Sequence, residues 1–192
     1  MKNQRTPEYP VHKQFVKRWS PRALSGEPVT KEQLMTLFEA AKWAPSSYNN
    51  QPWRFVYAMR DTPAWSTFMN LLGQFNQQWC QNGAALVLVC AKKNFEHNNK
   101  PSRTHEFDTG AAWMSLALQG SLSKLVVHGM EGFDYDRART ELGIPDDCDI
   151  ECMVAIGKKG KKSRLPKELR KNEFPNQRKK VSEIVFEGRY QG

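Results

Sequence analysis

The sequence predicts an α+β fold, and three observations carry that expectation. Apolar residues recur at helical spacing in several stretches, other stretches alternate or run apolar as strands do, and the two kinds are interspersed along the chain. With 192 residues, 39% of them hydrophobic, the chain can bury one good core, so a single domain over residues 1–192 is expected.

The elements follow in order. Thr30 and Gln33 have the spacing of a capping box, and Leu34, Leu37, Phe38 and Ala41 then repeat at helical spacing until Pro45 stops the run. WRFVYAM, Trp53–Met59, reads as a strand. Trp65, Phe68, Leu72, Phe75 and Trp79 step by threes and fours, which predicts one helix over 65–79. AALVLVCA, residues 84–91, is so continuously apolar that it is expected as a central strand covered on both faces. Residues 104–123 form a helical pattern, apolar on more than one side and carrying Gly110, Ala111, Ala112, Ala117 and Gly120; such a helix needs neighbours all round. Asp134 can cap a short helix ending at Gly143, DIECMVAIG (149–157) alternates as another central strand, and VSEIVF (181–186) is expected as a last strand.

Net charge is +9, and its placement matters more than its size. Residues 158–180 hold eleven Lys/Arg against two Glu, so the rest of the chain balances at eighteen of each sign. That segment has one aromatic, Phe174, and lacks the basic and aromatic interleaving of a single-strand-binding surface. It reads as a solvated charged loop, some of whose cations can reach a phosphate, with no specific nucleic-acid partner expected. No stretch approaches the ~18 uninterrupted apolar residues of a membrane helix, and the opening MKNQRTPEYP has no signal-like apolar run, so a cytoplasmic protein without membrane contact is expected. Cys80, Cys90, Cys148 and Cys152 fit neither a disulfide scaffold nor a common zinc spacing and read as mostly buried free thiols. GKKGKKS has too few residues between its glycines for a phosphate loop, no GxGxxG or GxSxG is present, and the four histidines show no metal-ligand spacing.

Three polar clusters stand beside apolar elements. Arg18-Trp19-Ser20-Pro21-Arg22 places two guanidinium groups and a hydroxyl within five residues, a natural anion grip. APSSYNNQPW, residues 44–53, packs hydroxyls and amides between two prolines where a helix gives way to a strand. HGMEGFD, residues 128–134, has two glycines that let the backbone approach a flat ligand, although a plain strand-to-helix turn explains it almost as well.

Together these segments resemble the nitroreductase family of FMN enzymes, over nearly the whole chain. The motifs appear in family order: RWSPR, PSSYNNQPW, Asn76 at the end of the second helix, EGFD, and the closing RKKVSEIVFEGRY. The resemblance implies a nitroreductase-like FMN-binding fold with a central, mostly antiparallel sheet flanked by helices. It also implies a homodimer with FMN at the subunit interface, helix 104–123 buried there, and a C-terminal extension embracing the partner.

Carried over residue by residue, it puts Arg18, Trp19, Ser20 and Arg22 on the phosphate and ribityl-pyrimidine side, with Arg178 joining them and Lys162 and Arg164 as rival candidates. Pro45, Ser46, Ser47 and Asn49 would come from the partner to one face of the ring. Asn76 would bond the ring's polar edge, and Met130, Glu131 and Gly132 would lie near N5. Trp19 and Lys124 depart from the family pattern, which often has Arg or His at the first position and a Gly-Leu pair at the second. No catalytic side chain and no metal are implied, because flavin N5, with Glu131 nearby, carries the chemistry. The implied reaction is a ping-pong cycle from NAD(P)H to a small acceptor such as a nitroaromatic or a quinone. A flavin carrier or sensor without turnover, and a related flavin enzyme such as a reductive dehalogenase, are the alternatives.

Overall fold

A computed structural model describes residues 5–192; the first four residues of the polar opening lie outside the described residues. In chain order the helices and strands are α1 (Lys13–Lys17), α2 (Lys31–Lys42), β1 (Trp53–Met59), α3 (Ala64–Leu71), α4 (Gln74–Cys80), β2 (Ala85–Lys92), α5 (His105–Leu122), β3 (Leu125–Met130), α6 (Tyr135–Glu141), β4 (Cys148–Lys158) and α7 (Lys167–Arg170). The sheet is antiparallel throughout, in the order β1-β2-β4-β3, so the α+β class holds. Among the described residues no helix is long and apolar enough to cross a membrane.

Alternation along β2 explains its unbroken apolar sequence. Leu86, Leu88 and Cys90 enter one core with Phe68, Leu71 and Trp79, while Val87 and Val89 enter another with Leu34, Leu37, Ala112 and Leu116. Helices α2 and α5 thus cover one face of the sheet and α3, α4, α6 and α7 the other. The Thr30–Gln33 capping box and the Asp134 cap, whose side chain accepts from the Arg137 N–H, both form.

Four expectations need correction. Residues 65–79 are two helices, because Leu72 and Gly73 turn extended and the Gly73 N–H bonds the Gly132 carbonyl at 3.0 Å instead of continuing the helix. Phe75 is consequently half-exposed rather than core. Residues 181–186 do not form a strand: Val181–Glu183 is a 3-10 turn, and Ile184 and Val185 are exposed with no strand to pair with among the described residues. Residues 128–130 of the expected strand-to-helix turn belong to the edge strand β3, which pairs with β4 from Leu125↔Lys158 to Met130↔Met153. The basic segment is more than a solvated loop, since α7 and its flanks bury Leu165, Leu169 and Glu173.

Candidate functional site

The site is built along the edge strand β3. Residues 18–24 run beside it, and two buried groups hold them there. Glu173 accepts the Arg22 N–H at 3.0 and 3.1 Å and the Ala23 N–H at 2.9 Å, from 150 positions away. His128 on β3 donates from Nδ1 to the Pro21 carbonyl at 3.1 Å, the tautomer that this contact requires. Burial, aided by the charges of Arg22 and Arg18, outweighs its bonds to the Pro21 and Ser20 carbonyls and brings His128 down to about 4, so the ring is neutral at pH 7.

One end of this edge is cationic. Arg18 Nη1 donates to Ser20 Oγ at 3.4 Å. Arg5 donates to the Arg18 carbonyl at 2.6 Å and to the Asn176 carbonyl at 2.7 Å, and Arg178 donates to Asn176 Oδ1 at 2.9 Å. Arg5, Arg18 and Arg178 therefore share one corner. Burial first, and then the charge of Arg178, lowers the pKa of Arg18, and Arg5 is lowered by burial, Arg178 and Arg18. Arg5 is absent from the sequence-based candidates because its partners stand 13 and 171 positions away, beyond any local motif.

Lys162 instead lines a cavity with Trp19 and Lys159, whose ammonium sits 5.1 Å over the Trp19 ring, and Arg164 donates to the Ser25 carbonyl. Arg22 lies with its guanidinium 5.6 Å from the Phe75 ring centre, and its buried Nε has no hydrogen-bond partner among the described residues.

The other end is neutral and rich in amides. Asn76 is buried, donates from Nδ2 to the Gly132 carbonyl at 3.0 Å and accepts from Trp79 Nε1 at 3.3 Å. A Cβ on Gly132 would stand 2.8 Å from Asn76 Nδ2, so any other residue there would push the Asn76 amide out of this position. Ladder pairing of β3 ends at Met130, and the Glu131 and Gly132 amides follow it. Met130 is buried with its sulfur 3.7 Å from Cys80 Sγ. Burial raises the Cys80 thiol and pushes Cys90 and Cys152 up to about 12, so none of the three is a thiolate nucleophile. About 17 Å of strand separates the cationic end, near Leu125, from this one, at ~3.3 Å per residue.

Pro45, Ser46, Ser47 and Asn49 are not brought to this edge. Their loop accommodates positive φ at Tyr48, Asn49 and Gln51, with Ser46 Oγ accepting the Gln51 N–H and Asp108 in the first turn of α5 accepting the Ser47 N–H, both at 3.0 Å. Arg18 lines a cavity with Ala117 and Ser121 of the same helix. Thirteen helical residues from Asp108 to Ser121 put the loop roughly 20 Å away along α5. Near the loop's end of α5, His105, Glu106 and Asp149 bring ligand-type atoms within 4.8 Å of one another, a juxtaposition no spacing showed. His105 Nε2 and Asp149 Oδ2 already bond each other there at 2.8 Å.

Comparison with known proteins bears on this arrangement. The sequence model of the Nitroreductase family matches residues 15–64, which span both the arginine run and the PSSYNNQPW loop. The oxygen-insensitive NADPH nitroreductase of Helicobacter acinonychis is 28% identical over 177 residues, covering 72% of this chain and 83% of that protein. A solved nitroreductase family protein from Streptococcus pneumoniae shares the fold at a TM-score of 0.72 and 19% identity, over 91% of this chain and 98% of the other. A solved oxidoreductase containing FMN is 46% identical, with a TM-score of 0.95 over all of this chain and 98% of that one. On the match across both motifs and the likeness along its whole length, the chain belongs to the nitroreductase family.

Proposed function

We propose that this protein is an FMN-dependent oxidoreductase, working as a homodimer, that passes electrons from NAD(P)H to nitroaromatic or quinone acceptors. The observation that carries the reading is the polarity of the β3 edge: three guanidinium groups at one end, an amide-lined glycine cradle at the other. FMN has the same polarity, a phosphate dianion at one end and a flat, neutral, hydrogen-bonding ring at the other.

The residues present fit that group. Arg18, Arg5 and Arg178 would hold the phosphate through charge-assisted hydrogen bonds, with Ser20 beside them. The orphaned Nε of Arg22 offers a donor between the two ends. Asn76, fixed by Gly132 and Trp79, would present its amide to the ring, and the Glu131 and Gly132 amides beyond the ladder would stabilise negative charge there. Bound FMN supplies the electron carrier between the nicotinamide and the acceptor. The side chains bind, orient and tune; with its thiols protonated and His128 neutral, the chain needs no nucleophile of its own. Donor and acceptor use one place in turn, a ping-pong order. Pro45, Ser46, Ser47 and Asn49, remote from the edge within one chain, would meet the flavin of the partner subunit.

The visible spectrum of the purified protein tests this. Flavin bands after FMN addition that bleach on anaerobic addition of NADPH or NADH are expected, with colour returning on addition of a quinone. A protein that takes up no flavin would overturn the reading, and bound flavin that both nicotinamides leave oxidised would make it a carrier.

A further inference from the structure

A cleft of about 490 Å³ opens between the N-terminal half of α5, the C-terminal end of β3 and β4, and it runs up to Met130 and Glu131. Its charge is opposite to that of the chain as a whole. Glu106, Glu131 and Glu151 line it and, among the described residues, no Lys, Arg or His does, although the protein carries +9. Outside the lining, Lys93 Nζ lies 3.1 Å and His105 Nε2 2.8 Å from Asp149.

Glu151 stands at a β-bulge. Val89 pairs with Cys152 and Cys90 with Ile150, so Glu151 is the extra residue between them, the device by which a strand re-aims one side chain. Burial, with Glu106 and Asp149 close by, raises its pKa.

Three buried polar atoms at this cleft have no partner among the described residues: Thr109 Oγ1, Trp113 Nε1 and Glu151 Oε1. Thr109 is only 1% exposed, so its hydroxyl has no bulk water to turn to. The indole N–H can only donate and the carboxylate can only accept. The Trp113 ring also supplies a flat apolar wall, laid against Gly129, where a Cβ would stand 3.2 Å from it.

We infer that this cleft selects planar aromatic acceptors that carry positive charge. A nitro or carbonyl oxygen would take the Trp113 N–H, the ring would lie on the indole, and the cationic group would meet the carboxylates. Anionic acceptors of the same size are disfavoured by the same three glutamates. The inference rests on the flavin reading for electron transfer, but not for binding.

The test uses a matched pair, (4-nitrobenzyl)trimethylammonium and 4-nitrobenzoate, with neutral 4-nitrobenzyl alcohol as reference. Equilibrium dialysis against the oxidised holoprotein measures binding without turnover. NADPH consumption measures the reaction R–NO2 + NADPH + H⁺ → R–NO + NADP⁺ + H2O. At low ionic strength the cation is expected to bind, and to show a kcat/KM, at least about tenfold in its favour, and salt should shrink the gap. Glu106→Gln, on an exposed helical position, and Glu151→Gln should each reduce the cation-over-anion preference, read against the neutral alcohol in the same variant. Equal affinity for cation and anion, no binding of any probe, or a preference that survives both substitutions would overturn the inference. A colourless protein that still prefers the cation in dialysis would sink the flavin reading alone.

Discussion

Glu173 shows how one side chain can organise a site it does not line. Its carboxylate closes on two consecutive backbone N–H groups of the arginine run and ties the basic segment, with Arg178 five residues on, to the N-terminal grip. In Glu173→Gln an amide NH2 must face N–H donors, which leaves a buried donor unsatisfied at a cost of about 1–3 kcal/mol. The expected result is a rise of about tenfold in the Kd for FMN with little change for riboflavin, which lacks the phosphate, as read by flavin fluorescence titration. Equal losses for both ligands with a lowered Tm would reduce Glu173 to general packing. Nothing local in the sequence marks this residue, because it sits in a charge run that reads as a solvated face and its partners are 150 positions away. Arg18, Ser20 and Arg22 stand out in the sequence because they are adjacent, yet only Arg18 joins Arg5 and Arg178, while the Arg22 guanidinium lies over Phe75.

Helix α5 carries the same kind of contrast along its length. A Cβ on Gly120 would stand 2.4 Å from Val127 Cγ2, whereas one on Gly110 meets nothing within 4 Å. Alanine is favoured over glycine in a helix interior by ~1 kcal/mol, and overpacking costs roughly 1–3 kcal/mol. Gly120→Ala should therefore lower stability by about 1 kcal/mol and Gly110→Ala raise it by up to about 1 kcal/mol, compared as urea midpoints. If both lose stability, a second surface covers the Gly110 face; if both gain, the close approach to β3 is not needed. The small residues of α5 were visible as a pattern in the sequence, but which of them is crowded was not. Helical periodicity likewise ran through Leu72 and Gly73, where the bond from Gly73 to the Gly132 carbonyl replaces a helical turn. Lys124 stands at φ +60°, a left-handed position where the glycine frequent in the family would be unstrained.

Across the whole molecule, exposed apolar side chains on α5 and at the C-terminal end bear on assembly. On α5 they include Phe107 at 79% and Leu122 at 59% exposure, and at the C-terminal end Ile184, Val185 and Tyr190. The proposed homodimer would cover both, and would give the loop of residues 45–49, which stands away from the β3 edge, a site to reach. Sedimentation should return a mass of about 44 kDa, twice the 22.1 kDa of one chain, and a species of single-chain mass at micromolar concentration would remove the dimer proposal. The α+β class, the central strands and the caps could be read from the amino-acid order, because each depends on periodicity or on groups a few positions apart, and the same proximity marked the arginine run as a candidate. The broken helix at Leu72–Gly73, the lack of a strand at 181–186, the meeting of Arg5, Arg18 and Arg178, and the acidic cleft beside Glu131 emerge only in the folded chain. Those depend on backbone groups and charges brought together from distant positions, and on whether an apolar segment finds a neighbour to pair with.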